Sequence, residues 1–133
     1  MPRKTIHDLL DEARRHLVRL TPEEAWRAAR ERAARLVDTR SEGDRRLQGD
    51  IPGARLHPLS TLEWELDPAS GHADPDYHLD SFLVLICAEG YSSSLAAARL
   101  QTLGFHRATD VIGGVEGWLA AGLPVLRADA PAT

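Results

Sequence analysis

The sequence predicts an α/β fold in which a parallel sheet is flanked by helices on both faces. Short apolar segments of strand length alternate along the chain with helical segments, and the connections are short, as in parallel sheets. The segment 82–86 is apolar at every position, which is typical of a strand covered on both faces. Capping-box patterns at residues 5–8, 21–24 and 60–63 mark three helix starts.

The composition is that of one ordinary globular domain. The chain has 133 residues, of which 43% are hydrophobic and 27% charged, and these values exclude wholesale disorder. No apolar run approaches the roughly 20 residues that cross a bilayer, so we expect no membrane partner. The first residues lack the apolar stretch of a signal peptide, and we expect a cytoplasmic protein.

Charge is distributed unevenly along the chain. Residues 1–55 carry 13 basic and 10 acidic side chains, whereas residues 56–133 carry 3 basic and 10 acidic ones. The molecule is therefore dipolar, with a net charge of −4, and lacks the concentrated basic face that nucleic-acid-binding proteins use. We expect no nucleic acid among its partners.

Local signals predict five helices. Ile6 and apolar residues at helical spacing behind it predict the first, and Pro22 at the first helical position opens the second. The third is short and closes at Asp67-Pro68, and the last two each end before a glycine. The expected helices span 5–15, 21–34, 60–67, 94–103 and 115–121.

Five segments have the length and apolar character of strands. They are 16–20, 36–38, 54–56, 82–86 and 109–112. The first segment also fits the tail of the first helix. Residues 67–79, rich in proline and charge, predict a long surface loop.

The single cysteine, Cys87, stands at the carboxyl end of the 82–86 segment. It can form no disulfide within the chain and no cysteine-rich zinc site, and the histidines show no metal spacing, so we expect no metal. A lone cysteine is more often a buried apolar residue than a nucleophile. Its position favours the nucleophile, because ligands of open parallel sheets bind beyond the strand ends and against helix N-termini.

A short loop separates Cys87 from the next helix. Gly90 permits the positive φ of a tight loop, and Ser93 or Ser94 is suited to cap the helix. Successive backbone N–H groups in such a loop turn inward and form an anion-binding nest, to which the helix dipole adds. Both features favour the thiolate and make Cys87 a candidate nucleophile.

Four motifs, in order along the chain, resemble those of single-domain rhodaneses, a family of sulfurtransferases. Cys87-Ala88-Glu89-Gly90-Tyr91-Ser92 looks like the family's six-residue active-site loop. The other three are Leu36-Val37-Asp38-Thr39-Arg40, Gly49-Asp50-Ile51-Pro52-Gly53-Ala54, and Val111-Ile112-Gly113-Gly114 followed by Gly117-Trp118 and Gly122-Leu123-Pro124-Val125. The resemblance implies a five-stranded parallel sheet in a rhodanese-like domain over 16–126, with an N-terminal helical extension over 1–15 and a flexible tail over 127–133.

The resemblance also implies a chemistry. The Cys87 thiolate attacks a sulfane sulfur and holds it as a persulfide, and a thiol or other nucleophilic acceptor then takes that sulfur, so ping-pong kinetics are expected. The donor is a small-molecule or protein sulfane-sulfur compound, and no metal or organic cofactor is needed. Loop backbone N–H groups stabilise the terminal sulfur's charge. They belong to Ala88, Glu89, Gly90, Tyr91, Ser92 and Ser93.

The loop departs from rhodaneses that use thiosulfate well, which commonly carry cationic residues there. Its second, third and sixth positions are Ala88, Glu89 and Ser92. Because Glu89 repels a dianion, we expect thiosulfate to be a poor donor and a low-molecular-weight or protein persulfide to be a better one.

Three further side chains each have two interpretations. Asp38 and Arg40 follow a neighbouring strand and are candidates for the border of the site, although a structural ion pair is the simpler interpretation. Tyr91 either shields the persulfide or contacts the donor, or it rests on the surface.

Two other classes of function remain open. Cysteine phosphatases of this fold need arginine six residues after the cysteine, and that residue is Ser93, so a phosphate dianion would lack its bidentate partner. A non-catalytic rhodanese-like binding or regulatory module is compatible with the cation-free loop, since a fold does not fix a function.

Overall fold

The structure, a computed structural model, describes residues 2–127. Its helices are α1 (Ile6–Arg15), α2 (Pro22–Arg30), α3 (Glu42–Gln48), α4 (Leu62–Leu66), α5 (Ser92–Thr102) and α6 (Gly114–Ala120), with a 3₁₀ turn at Pro68–Ser70. Its strands are β1 (Arg35–Asp38), β2 (Arg55–Leu56), β3 (Leu83–Ile86) and β4 (Thr109–Asp110). No helix within the described range combines the length and apolar character needed to cross a membrane.

The strands form one parallel sheet in the order β2-β1-β3-β4. The expectation of a fifth strand over 16–20 is wrong, because only Leu20 of that segment pairs, in a single bridge to Val111. The Leu20 N–H donates to the Asp110 carbonyl at 3.1 Å, and the Ile112 N–H donates to the Leu20 carbonyl at 2.8 Å. The His16 and Leu17 N–H groups instead bond back to the Ala13 and Arg14 carbonyls at the end of α1, so the start of the segment continues the helical turn.

Helices cover both faces of the sheet, as expected. The inward side chains of β3 alternate, with Leu83 and Leu85 packing into one cluster and Val84 and Ile86 into the other, and all four are fully buried. The first cluster includes residues of α4 and α5, and the second includes residues of α2 and α6. Helix α1 packs on α5. The strand that leads into Cys87 is therefore enclosed on both faces.

Two helix starts form the capping boxes that the sequence predicts. The Thr5 and Thr21 side chains each accept a hydrogen bond from the backbone N–H three residues on. The Asp8 and Glu24 carboxylates in turn accept from the N–H of the cap residue itself. At each helix two N–H groups without a helical partner are satisfied in this way.

Helix α2 ends at Arg30, earlier than the expected Ala34. Arg32 has a positive φ of 59°, which a helix does not accommodate, and the Ala34 N–H bonds back to the Ala28 carbonyl at 3.2 Å. This turn redirects the chain into β1.

The short helices also differ from expectation. Helix α3 was not expected, although Ser41 accepts a capping bond from the Asp44 N–H at 3.1 Å. The box expected to begin at Ser60 does not form, because α4 starts one residue later, behind Thr61, whose side chain makes no capping bond.

The predicted surface loop 67–79 opens with the 3₁₀ turn and is anchored near its end. Tyr77 is buried, and its hydroxyl lies 2.9 Å from His57 Nε2. Arg55 on β2 donates to Asp74 and Asp76 of the same loop.

The predicted division into extension, domain and tail stays a prediction. Leu126 forms an antiparallel bridge with Asp50, and residues 128–133 of the predicted tail lie outside the described range.

Candidate active site

Cys87 follows β3 directly, beside the carboxyl end of β1. It is only 5% exposed and lines a pocket of about 490 Å³. The other walls come from residues 39–41 after β1, Asp44 on α3, the segment 58–60 and the loop that Cys87 begins. The pocket lies at the edge of the sheet where ligands of open parallel sheets bind.

The loop curls so that one of its N–H groups faces the sulfur. Gly90 has φ +90°, and its backbone N–H donates to Cys87 Sγ at 3.1 Å. Helix α5 begins two residues later, at Ser92, and directs its N-terminal end toward the loop.

The carbonyl groups of the loop are held by donors from other elements. The Cys87 carbonyl accepts from the Val115 N–H at 2.8 Å, and the Ala88 carbonyl accepts from the Glu116 N–H at 3.0 Å. Gln48 Nε2 also donates to the Ala88 carbonyl, at 3.3 Å. These bonds fix the peptide planes on which the direction of the N–H groups depends.

The Gly90 carbonyl accepts hydrogen bonds from two arginines of the N-terminal segment. Arg14 Nη2 on α1 donates to it at 2.8 Å, and Arg19 Nη2 donates at 3.1 Å. Charged donors make the stronger class of hydrogen bond, so the crest of the loop is tied to the N-terminal segment.

Close backbone packing supports the loop from behind. A Cβ on Gly114 would collide with the Cys87 carbonyl oxygen and would lie 2.6 Å from the Gly90 nitrogen. A Cβ on Gly90 would lie 2.7 Å from the Gly113 nitrogen. Only glycine permits this approach, and Gly113 and Gly114 both have positive φ.

Ser93 and Ser94 do not cap α5, contrary to one expectation. Their hydroxyls donate to Asp110 Oδ2 at 2.7 and 2.8 Å, and the residue at the cap position is Tyr91, whose side chain makes no capping bond. Ser93 Oγ is also 3.2 Å from Cys87 Sγ.

The buried carboxylate of Asp110 is the part of the site that the sequence analysis missed, together with its partner Arg19. Arg19 Nε and Nη2 donate to the two carboxylate oxygens at 2.8 and 3.2 Å. The sequence did contain a signal, since Asp110 is an acidic residue within the apolar segment 109–112. A charge buried in such a segment requires a partner.

Asp38 and Arg40 form an ion pair whose side chains are fully buried. Arg40 Nη2 donates to Asp38 Oδ2 at 2.7 Å, and its Nε donates to Oδ1 at 3.0 Å. Arg40 also lines the pocket and donates to Gln48 Oε1 at 3.3 Å. The pair therefore lies at the border of the pocket, and its guanidinium is already engaged.

Of the remaining loop side chains, those of Glu89 and Tyr91 are exposed. Tyr91 is 59% exposed and lines the pocket, with the Arg14 guanidinium 5.8 Å from its ring centre. Glu89 is exposed and lines the same pocket. Ala88 and Ser92 are half-buried along the wall, and Ser93 is fully buried.

The chain is similar to proteins of one family. A family model for the rhodanese-like domain matches residues 21–121. The thiosulfate sulfurtransferase GlpE of Actinobacillus succinogenes is 34% identical over 106 residues, which cover 80% of this chain and 87% of that protein.

Two solved structures have the same fold. A protein of unknown function from Rhodopseudomonas palustris, described as a possible tyrosine phosphatase, is 32% identical, with a TM-score of 0.85 over 94% of this chain and 98% of that one. The human single-domain sulfurtransferase TSTD1 is 26% identical, with a TM-score of 0.65 over 77% of this chain and 95% of that one.

Proposed function

The chain belongs to the rhodanese-like domain family, and on that premise we propose that it is a sulfurtransferase that carries sulfane sulfur as a persulfide on Cys87. The observation that carries the proposal is the Cys87 sulfur in the pocket, with the Gly90 N–H directed at it. The similarity to a protein named as a sulfurtransferase supports the same activity.

The reaction has two half-reactions. In the first, the Cys87 thiolate attacks the sulfane sulfur of the donor, a bond from Sγ to that sulfur forms, and the donor fragment leaves with the electron pair of the broken bond. In the second, an acceptor nucleophile attacks the terminal sulfur and the Cys87 thiolate leaves. Each half-reaction transfers one neutral sulfur atom, so no external oxidant or reductant is needed and the kinetics are ping-pong.

The loop stabilises the negative charge of the terminal sulfur. The backbone N–H groups of residues 88–93 provide the donors, and the N-terminal end of α5 adds a favourable field. Bonds to the carbonyls of Cys87, Ala88 and Gly90 hold the loop in this shape before the sulfur arrives, so little reorganisation accompanies the reaction.

The charge of the pocket favours a donor with little negative charge. The ionised side chains along its walls, all in the described part of the chain, are Arg40, Asp44 and Glu89, and Arg40 is paired with Asp38. Two carboxylates therefore face the pocket without a free cation among the lining residues. We propose that a low-molecular-weight or protein persulfide is a better donor than the thiosulfate dianion.

Intact-mass analysis tests the proposal. The purified chain is incubated with thiosulfate, with a small-molecule persulfide and with a protein persulfide. Gain of the mass of one sulfur atom in the wild type, its absence in Cys87→Ser, and its removal by a thiol acceptor are the expected results. A wild type that gains no sulfur from any donor contradicts the proposal and favours a non-catalytic binding module.

The phosphatase alternative has its own test. A dianionic phosphate needs a bidentate arginine, and the corresponding residue is the buried Ser93. We expect no hydrolysis of an aryl phosphate that depends on Cys87. Hydrolysis that Cys87→Ser abolishes would overturn this expectation.

A further inference from the structure

The hydroxyl of Ser93 lies between the reactive sulfur and a buried carboxylate. Ser93 Oγ is 3.2 Å from Cys87 Sγ and 2.7 Å from Asp110 Oδ2. Ser93 and Asp110 are both completely buried, so water does not compete for these bonds. A serine hydroxyl has one proton to donate, and it therefore serves one of its two neighbours at a time.

The protonation state of Cys87 decides which neighbour receives that proton. When Cys87 is a thiol, its S–H donates to Ser93 Oγ and the Ser93 hydroxyl donates to Asp110. When Cys87 is a thiolate, it has no proton to give and becomes a charged acceptor. Asp110 has three other donors, so the Ser93 hydroxyl turns toward Sγ.

Asp110 tolerates the loss of the Ser93 bond. Its carboxylate keeps the Ser94 hydroxyl at 2.8 Å and the two Arg19 donors at 2.8 and 3.2 Å. A buried carboxylate with three remaining donors is not left unsatisfied, so the Ser93 hydroxyl turns without stranding a charge.

We propose that Ser93 is a further catalytic residue, whose hydroxyl donates to Cys87 Sγ only while Cys87 is a thiolate. The proposal rests on the proposed function in one respect, namely that sulfur transfer passes through this thiolate twice. The thiolate is the nucleophile of the first half-reaction and the leaving group of the second. In the persulfide Sγ is a neutral bridging atom, and the hydroxyl returns to Asp110.

The bond acts on both half-reactions. It stabilises the thiolate, which is the attacking form of Cys87, relative to the thiol. It also makes the thiolate a better leaving group when the acceptor takes the sulfur.

Charged groups approach Cys87 from every surrounding element. They are the Asp38–Arg40 pair after β1, Asp44 on α3, Glu89 in the loop, Arg14 on α1, and Asp110 on β4 with Arg19. Replacing a serine by alanine leaves all of these in place. A change in the pH dependence of Cys87 reactivity therefore reports the missing hydroxyl.

Two matched variants, Ser93→Ala and Ser94→Ala, test the proposal. Each removes one hydroxyl from α5 and one donor from Asp110, but only Ser93 contacts Sγ. The rate of alkylation by iodoacetamide is measured against pH for both variants and for the wild type, and the midpoint of each curve is compared.

In Ser93→Ala we expect the midpoint of the alkylation curve to rise by about 0.5–1 pH unit. We also expect single-turnover discharge of the persulfide to slow about three- to tenfold. Ser94→Ala loses the bonds of this hydroxyl to Asp110 and Arg14 but no contact with Sγ, so we expect a clearly smaller shift of the midpoint.

A second pair of variants separates the hydroxyl from packing. Ser93→Thr keeps the hydroxyl, and Ser93→Val has a methyl group in its place with the same side-chain shape. The midpoint of the alkylation curve is therefore expected to be lower in the threonine variant.

An unmoved midpoint in folded Ser93→Ala, or equal shifts in Ser93→Ala and Ser94→Ala, overturns the proposal. Alkylation requires no sulfur transfer, so this result is independent of whether Cys87 accepts sulfur from a donor.

Discussion

The guanidinium of Arg14 donates to the Gly90 carbonyl oxygen at 2.8 Å, although the two residues are 76 positions apart in the sequence. This bond joins the first helix to the crest of the Cys87 loop. Arg14 Nε also donates to Ser94 Oγ at 3.1 Å, so one side chain contacts both the loop and the first turn of α5. Helix α1, which lies before the residues matched by the family model, therefore contributes to the geometry of the site.

Arg14→Ala is expected to weaken the loop. The variant loses a charge-assisted bond to Gly90 that is partly buried, and we expect the free energy of unfolding to fall by about 1 kcal/mol and kcat to fall about three- to tenfold. Chemical unfolding and steady-state kinetics measure the two effects. Arg15→Ala, one residue further on an exposed position, is the control and is expected to change neither value appreciably. Equal effects of the two substitutions would show that the loop does not depend on Arg14.

Glu89→Arg is expected to raise kcat/KM for thiosulfate at low salt. A unit charge at about 6–8 Å from a dianion, at an effective dielectric of about 20–40, contributes about 2–5.5 kcal/mol before screening. Glu89 is exposed, so water and salt reduce this value, and we expect a rise of roughly fivefold. Glu89→Gln is expected to give a smaller rise, and high salt is expected to reduce both.

Alkylation gives an independent measure of the same charge. Glu89→Arg is expected to accelerate the reaction of Cys87 with anionic iodoacetate more than that with neutral iodoacetamide. Thiosulfate kinetics that stay at the wild-type value, with an unchanged ratio of the two alkylation rates, would mean that Glu89 does not select the donor.

Gly114→Ala is expected to destabilise the fold strongly. The added Cβ meets the backbone of Cys87 and Gly90, and the positive φ adds backbone strain, so the combined cost is about 3 kcal/mol or more. Gly122→Ala is the matched control, because Gly122 also has a positive φ but has no atom within 4 Å of the added Cβ. Its expected cost is about 1–2 kcal/mol, from strain alone. Similar unfolding midpoints for the two variants would contradict the close approach.

Tyr77 makes the fold sensitive to alkaline pH. Burial raises the pKa of Tyr77 to about 12 from an ordinary value of 10.0. Since the folded state holds this proton more tightly, its stabilising effect is present below pH 10 and is lost as the pH rises toward 12. Tyr77→Phe removes the titrating group and the bond to His57. We expect it to be less stable than the wild type at pH 8, and the two to converge as the pH rises. Urea unfolding across this pH range measures the difference in free energy of unfolding between the two proteins. A difference that stays constant with pH would exclude the effect.

The sequence predicts those features of the fold that depend on residues close together in the chain. The fully apolar run before Cys87, the glycine in the loop and the capping boxes at Thr5 and Thr21 each act within a few residues, and the corresponding elements are present in the structure. The end of α2 was misplaced because helical spacing continues through Ala34, whereas Arg32 leaves the helical region of φ.

The features of the site that the sequence did not predict depend on contacts between residues far apart in the chain. The pairing of Arg19 with Asp110 joins residues 91 apart. An acidic residue in an apolar segment indicates a buried charge at Asp110, but nothing in either segment identifies Arg19 as its partner. The same contact explains why the capping role expected of Ser93 and Ser94 was wrong, because a buried carboxylate on β4 attracts both hydroxyls. Segment 16–20 has the composition of a strand, yet its arginine serves the site and only Leu20 joins the sheet.

Both outer strands of the sheet, β2 and β4, are only two residues long. Leu20 already occupies hydrogen-bonding positions beside β4, and Arg55 places a charge on β2. Short, charged or occupied edges disfavour extension of a sheet by another chain. A protein that delivers or collects sulfur is therefore expected to dock on side chains around the Cys87 pocket, so that its specificity is encoded in loop residues, which can change in evolution without altering the sheet.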